Sequence, residues 1–305
     1  MAIKRIKNAF WYLFHKPKVI IDYCWCKLAP IVPDKVFIRV HFWLCVGYKL
    51  NLKYPRTFNE KLQWLKFDSL NHPEYTKMVD KVTAKDYVAS IVGEKYIIPT
   101  LGIWNSVDEI DWDSLPNQFV VKSTNDSGGV IVCKDKSKLD IDSAKQKLKR
   151  LGGRDYTVIS KEYPYKNVPH RFIAEEYMED ESGFELKDYK IFCFDGKARF
   201  LFIATGRQQK DTRFDFYDME FNHLPVLNGH PNADIVPARP HNFEEMIVVA
   251  EKLSKGLPHV RVDLYNIRGK IYFGELTFFH WSGMVPFEPR EWDYKFGEYI
   301  NLPIE

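Results

Sequence analysis

The chain has 305 residues with 45% apolar and 15% aromatic content, enough for one large or two modest cores, and its 16 glycines and 17 prolines are too few for a fibrous or low-complexity polypeptide. Ten cations but only Asp22 and Asp34 fall in residues 1–53, so a segment of formal charge +8 precedes a body of −5, and an acidic body disfavours nucleic acid as a partner. No run reaches the roughly 18 apolar residues of a membrane span, since VFIRVHFWLCVGY is broken by Arg39 and His41.

Ile3, Ile6, Phe10 and Phe14 recur at helical spacing with Lys4, Arg5 and Lys7 elsewhere on the turn, the pattern of an amphipathic helix. Such a helix packs on a domain or lies on an anionic membrane face. Arg5, Lys7, His15 and Lys16 interrupt any secretory apolar core. A cytoplasmic location is therefore expected, with peripheral contact to the inner leaflet through residues 1–53 as an open alternative. Cys24, Cys26, Cys45, Cys133 and Cys193 are odd in number and scattered, which predicts reduced thiols, and the Cys24-x-Cys26 pair lacks a second pair at zinc spacing.

Thr57 with Glu60 three residues on is a capping box, opening a helix that carries Leu62, Leu65 and Leu70. Residues 76–92 keep a helical rhythm through Met78, Val82, Val88 and Val92 until Gly93, and a short strand follows in YIIPTLGIW. FVVKS (119–123) and VIVCKD (130–135) are strands around TNDSGG, and a charged helix spans 137–151. Further strands lie in RFIAEEYM (171–178), DYKIFCFDGKARFLFIATG (188–206) and FDFYDMEFN (214–222); a helix at 243–255 and a hairpin, VRVDLYNIRGKIYFGELTF (260–278), follow. Strands interleaved with helices predict an α+β protein built on antiparallel sheet.

The hairpin is the most informative segment. Arg261 and Asp263 project from one face of its first strand, and Phe273, Glu275 and Thr277 share a face of its second. An odd turn, as a bulge at Gly269 allows, sets Asp263 diagonal to Glu275 at about 7–8 Å, within reach of one divalent cation; an even turn parts them to opposite faces. Hard oxygen ligands suit Mg²⁺ beside phosphate. Lys122, leaving a strand just before Ser127, Gly128 and Gly129, can set a charge on a phosphate with backbone N–H groups beside it. Glu175, Glu176 and Tyr177 end a strand that can offer backbone to an adenine edge and a carboxylate to a ribose. Each feature alone also fits an ordinary solvated surface.

In their order and spacing, DKVTAK (80–85), FVVKSTNDSGG, RFIAEEYM, and RVD with GEL twelve residues on resemble the ATP-grasp ligases. YPRTFNEKLQWLK, DYKIFCFDG and RVDLYNIRGKIYFGELTFFHWSG resemble the TupA-like branch, named for a teichuronopeptide biosynthesis protein. The resemblance implies an ATP-grasp fold, two antiparallel-sheet subdomains enclosing a nucleotide cleft after a basic helical segment. It implies a helical segment at 1–53, a helical region at 54–118, a smaller subdomain with phosphate loop and hinge at 119–180, and a second with the metal site at 181–305. ATP and Mg²⁺ are the implied cofactors. Lys81 and Lys122 match phosphate-contacting lysines, Ser127, Gly128 and Gly129 the mobile loop, and Glu175, Glu176, Tyr177 and Met178 the adenine hinge. There Glu176 and Met178 would read the base through their backbone, and Glu175 or Asp180 the ribose. Asp263 and Glu275 match the metal acids, with Thr277 where many members carry Asn. Arg261 matches an arginine directed at the tetrahedral intermediate, Lys190 would approach the phosphates or the acceptor acid, and His280 and Trp281 fall on the acceptor side.

The implied reaction joins an amine donor to a carboxylate through an acyl phosphate, the acid being a uronic acid or other acidic glycan of a bacterial surface polysaccharide, or a peptide carboxylate. Two readings stay open beside it: a nucleotide-sugar glycosyltransferase whose metal pair is Asp111-Trp112-Asp113, and a non-catalytic nucleotide-binding assembly partner.

Overall fold

The computed structural model describes residues 17–125, 128–152, 155–183, 185–207 and 211–303. The helix expected on Ile3, Ile6, Phe10 and Phe14, and loop residue Ser127, lie outside them. Helices α1 (Pro17–Cys26) and α2 (Asp34–Val46) come first, closed over Ala29, Phe37, Ile38, Phe42, Val46 and Leu50. The predicted capping box opens α3 (Phe58–Asp68): Thr57 Oγ1 accepts from Glu60 N at 3.1 Å and the Glu60 carboxylate accepts from Thr57 N at 3.2 Å. These are two N–H groups that the helix itself leaves without acceptors.

The single helix expected over 76–92 is two, α4 (Tyr75–Val79) and α5 (Thr83–Val92). The cause is Asp80, whose carboxylate accepts from Val82 N at 3.1 Å and from Arg171 Nη2 at 2.5 Å. A side chain that satisfies a nearby N–H competes with the helical bond. Lys81 thus sits in a connection between helices.

The small sheet is antiparallel throughout, in the order β1 (Thr100–Trp104), β4 (Phe172–Glu176), β2 (Phe119–Ser123), β3 (Val130–Cys133). Period-two alternation sends Phe119, Val121, Phe172 and Ala174 into a core with Ala144 and Leu148 of α6 (Ile141–Gly152). The intervening Lys122 and Glu175 therefore face the other way. After the single-turn helix α7 (Thr157–Ser160), the large sheet takes the order β10 (Lys270–Thr277), β9 (His259–Ile267), β5 (Asp188–Phe194), β6 (Lys197–Thr205), β7 (Arg213–Asp218), β8 (His223–Leu224), again antiparallel. Ile191, Val260, Val262 and Leu264 are fully buried in one core with Met246, Val249, Ala250 and Leu253 of α8 (Phe243–Leu253). The opposite face of β5 is aromatic at one end, where Phe192 and Phe194 meet Phe58 of α3. At its other end the same face carries Asp188 and Lys190. A second aromatic stack joins Phe200 of β6 to Phe296 of α9 (Glu291–Glu298) at 3.7 Å. Aromatic burial of this kind contributes on the order of 0.5–1.5 kcal/mol per ring pair beyond its area.

The register of β9 and β10 corrects the sequence reading. Their turn is even, Arg268 and Gly269 both at positive φ between paired Ile267 and Lys270, which is the case expected to part the two acids. A bulge between Phe273 and Glu275 then adds one residue, so Glu275 pairs directly opposite Asp263 and Thr277 opposite Arg261. Glycine suits the extra position. A Cβ on Gly274 would lie 3.1 Å from Asp263 O and 3.3 Å from the Tyr265 ring.

Candidate active site

Between the two sheets lies a cleft of about 1270 Å³. It is lined by Lys81, Lys122, Gly128, Glu175, Glu176, Tyr177, Met178, Lys190, Arg261, Asp263, Glu275 and Thr277, most of the residues singled out from sequence. Gly129 is buried behind the rim, its carbonyl accepting from Ser123 N at 2.8 Å.

The small-sheet wall is organised by Glu175. Its carboxylate takes Lys85 Nζ on one oxygen and Lys122 Nζ on the other, each at 2.5 Å. Burial alone would push this carboxyl up, but Lys122 and Lys85 hold it below its ordinary range. One carboxylate between Lys85 and Lys122, with Lys81 nearby, leaves the wall net positive, and Lys81 Nζ reaches Thr124 O at 3.4 Å. Glu175 thus orients lysines and is not disposed toward a ribose. Asp180 is also committed elsewhere: it accepts from Ser182 N at 2.9 Å, Lys187 N at 3.2 Å and Lys187 Nζ at 2.7 Å, folding its own loop away from the cleft lining. Of the hinge backbone, Glu176 N donates to Pro99 O at 3.1 Å.

The large-sheet wall is a mesh of opposite charges. Arg261 forks onto Asp263, Nε to Oδ1 at 2.6 Å and Nη2 to Oδ2 at 2.7 Å, and its Nη2 also reaches Glu275 Oε1 at 3.2 Å and Thr277 Oγ1 at 3.0 Å. The Thr277 hydroxyl in turn donates to Glu275 Oε1 at 3.1 Å. Arg261 Nη1 donates to Nδ1 of buried His280 at 2.7 Å, which places the imidazole proton on Nε2, facing Asn228 Oδ1 at 2.7 Å. Burial and the adjacent guanidinium keep His280 neutral, its pKa well below the ordinary value. His280 therefore braces Arg261 from the cleft lining, and Arg261 is a positioning residue whose fork sets the acids. Lys190 is 7% exposed, pairs with Asp263, and lies 2.7 Å from Asp188 Oδ2.

Asp188, Arg207 and Lys85 were missed by sequence reasoning. Asp188 takes Lys190 and Arg207 (2.6 Å) on Oδ2, while its Oδ1 is buried with no hydrogen-bond partner. Glu275 is half exposed; burial would raise its pKa, yet Lys190, Arg261 and Lys81 draw it well below the carboxylate range. An orphaned buried oxygen, an ionised and accessible carboxylate and a threonine hydroxyl on one cleft wall are hard oxygen donors of the kind that Mg²⁺ takes beside phosphate and water.

Beyond β10 the chain makes a strained turn, Trp281, Ser282 and Gly283 all at positive φ (49°, 56°, 61°), of which only the glycine adopts that region without cost. Helix α3 holds it. Gln63 Nε2 donates to Ser282 O at 2.9 Å and Gly283 O at 3.0 Å, and fully buried Lys66 donates to Ser282 O and Oγ, both at 2.8 Å. Asn59, Gln63 and Lys66, at i, i+4 and i+7, share a polar face of α3 that the structure buries. The turn sets Trp281, 42% exposed, at the cleft beside Phe214 and His230.

Asp111 and Asp113 are exposed, Asp111 accepts from Ser114 N at 3.2 Å, Trp112 is buried in the small-sheet core, and none of the three lines the cleft.

The family model for TupA-like ATPgrasp matches residues 60–301. No curated protein matches the chain. Among solved structures, D-cycloserine synthetase DcsG is similar at 16% identity and a TM-score of 0.43, with 81% of each chain covered. D-alanine–D-alanine ligase from Bacillus anthracis, in complex with ATP, is similar at 15% identity and a TM-score of 0.39. That match covers 66% of this chain and only 53% of the ligase, so the chain spans about half of that enzyme's length.

Proposed function

This chain belongs to the TupA-like ATP-grasp family, and on that premise we propose that it is an ATP- and Mg²⁺-dependent carboxylate–amine ligase. The observation that carries the reading is the facing of two walls across one cleft: Lys81 and Lys122 on one, and the register-paired Asp263 and Glu275 with Asp188 and Thr277 on the other. Lys81 and Lys122 would hold the polyphosphate as point charges, with the Gly128 loop beside it. Glu275, Asp263 and Asp188 are the residues that would hold Mg²⁺, whose chemistry there would be neutralisation of charge on the transferred phosphoryl group. A substrate carboxylate oxygen attacks the γ-phosphorus and ADP leaves; an amine nitrogen then attacks the acyl carbon, expels phosphate and gives up one proton to the departing phosphate or solvent. Arg261 and Lys190 draw Glu275 down and partly offset the burial that pushes Asp263 up to about 6, and they keep the two acids spaced.

The acceptor is proposed to be a uronic acid or other acidic glycan of a surface polysaccharide, or a peptide carboxylate. The exposed Trp281 face next to His230 supports a sugar ring, whose C–H face packs on an indole. We place the reaction in the cytoplasm, with residues 1–53 as the segment that would meet the inner leaflet. Among the described residues no helix is long and apolar enough to cross a membrane.

The test is incubation of the full chain with MgATP, a uronic acid or peptide labelled with ¹⁸O in its carboxylate, and a panel of amines. ADP release that requires both acid and amine, with one ¹⁸O carried into inorganic phosphate, is the expected result. Nucleoside diphosphate released from a nucleotide sugar without ATP would mark a transferase. Nucleotide binding without turnover across the panel would mark an assembly partner.

A further inference from the structure

Outside the matched residues 60–301, α1 and α2 bring four metal-ligating side chains together. Asp22 and Cys26 lie at i and i+4 on α1, His41 and Cys45 at i and i+4 on α2, so each helix presents two on one face. Ligand atoms of Asp22, Cys26 and His41 all fall within 4.8 Å of one another. Cys26 Sγ is 3.9 Å from His41 Nδ1 and 3.9 Å from Asp22 Oδ2, and Cys45 Sγ is 3.7 Å from the same His41 nitrogen. Zn–S bonds of about 2.3 Å and Zn–N or Zn–O bonds of about 2.0–2.2 Å give a tetrahedron with edges of roughly 3.4–3.8 Å. The Cys26 edges to His41 and Asp22 and the Cys45 edge to His41 are thus already near the required lengths, while Cys45 lies outside the mutual 4.8 Å set and would close in to complete it. One edge is short: His41 Nδ1 lies 2.5 Å from Asp22 Oδ1, a hydrogen bond whose proton occupies the place an ion would take. An ordinary His–Asp pair accounts for that bond alone and gives no reason for two thiols to converge on the same nitrogen.

We propose that Asp22, Cys26, His41 and Cys45 form a structural zinc site that staples α1 to α2. Two thiolates with an imidazole and a carboxylate select a borderline-soft, tetrahedral ion over Mg²⁺ or Ca²⁺. With both thiols ionised the filled site carries one net negative charge, and it sits in the segment whose formal charge is +8. All four positions are then filled by protein, as a structural and not a catalytic site requires. The partner of Cys26 is Cys45 across the helix pair; Cys24, its neighbour in the Cys-x-Cys pair, is exposed and apart from the cluster.

The test is metal analysis of the full chain purified under reducing conditions, together with cobalt reconstitution. The wild-type chain and Cys24→Ser are expected to retain one zinc per chain and, with Co²⁺, to show thiolate-to-metal charge-transfer absorption. Cys26→Ser with Cys45→Ser should lose both signals while keeping a cooperative thermal unfolding transition by circular dichroism, which shows that the body is folded independently of this site. Zinc retained by the double variant, no cobalt–thiolate absorption in the wild type, or a Cys26–Cys45 disulfide in the freshly purified chain would each overturn the assignment.

Discussion

Glu275→Gln is expected to lower MgATP-dependent turnover about 100-fold while lowering the unfolding midpoint of the nucleotide-free chain only slightly, since the cations around it favour the ionised form but its half exposure screens them. Glutamine keeps the shape of the side chain and the oxygen that faces Arg261 Nη2 at 3.2 Å and Thr277 Oγ1 at 3.1 Å. It removes the negative charge, and half of this side chain is already open to the cleft, so little buried structure depends on it. Losses of 10–100-fold accompany removal even of groups that only orient a metal ligand, and a direct ligand belongs at the upper end. The check is steady-state kinetics at several Mg²⁺ concentrations. A variant whose activity returns at high Mg²⁺ fits loss of a ligand, whereas unchanged kinetics would remove Glu275 from the site.

Arg261→Met is expected to act on the fold, with a loss of about 3–5 kcal/mol in unfolding free energy, the range for removing one partner of a buried ion pair. The guanidinium is 8% exposed and meets Asp263, Glu275, Thr277 and His280. Without it Asp263 is left buried at 2% exposure with Lys190 as its remaining cation. Arg261→Lys should recover part of the loss, since it restores charge but not the two-pronged geometry. Denaturant unfolding of the three proteins gives the ordering wild type, Lys, Met. A Met variant as stable as the wild type would show that the acids are hydrated or protonated in the native state, and the charge mesh described above would be wrong.

What could be read from the sequence was mostly local or periodic. The Thr57–Glu60 box depends on residues three apart, and the alternation that turns Lys122 away from Phe119 and Val121 is a property of one strand, so both follow from short-range chemistry. The register of Asp263 against Glu275 is different. It is set by a bulge at Gly274 whose reason is a close approach to the Asp263 carbonyl and the Tyr265 ring on the neighbouring strand, and no single-strand pattern carries that. The break at Asp80 has the same origin, because Arg171 is 91 residues away. Asp188 stood in the quoted DYKIFCFDG segment, but only the pairing of Lys190 with Asp263 across β5 and β9 shows that it shares their face. The partners of Glu175 and His280 were out of reach for a further reason: each meets a cation from another element, Lys85 for the first and Arg261 for the second. That the polar face of α3 is buried could not be read from its spacing either. A helix that buries Asn59, Gln63 and Lys66 has to satisfy them somewhere, and the strained turn at 281–283 is where Gln63 and Lys66 are satisfied.

The central claim, that one polyphosphate is held between Lys81 and Lys122 on one side and the acids of the large sheet on the other, is tested most directly by a crystal structure with Mg²⁺ and a non-hydrolysable ATP analogue. The account predicts phosphate oxygens within hydrogen-bond reach of Lys81 and Lys122, and a cation joining them to Glu275 and Asp263. Nucleotide bound away from this cleft, or phosphates contacting neither lysine, would contradict it.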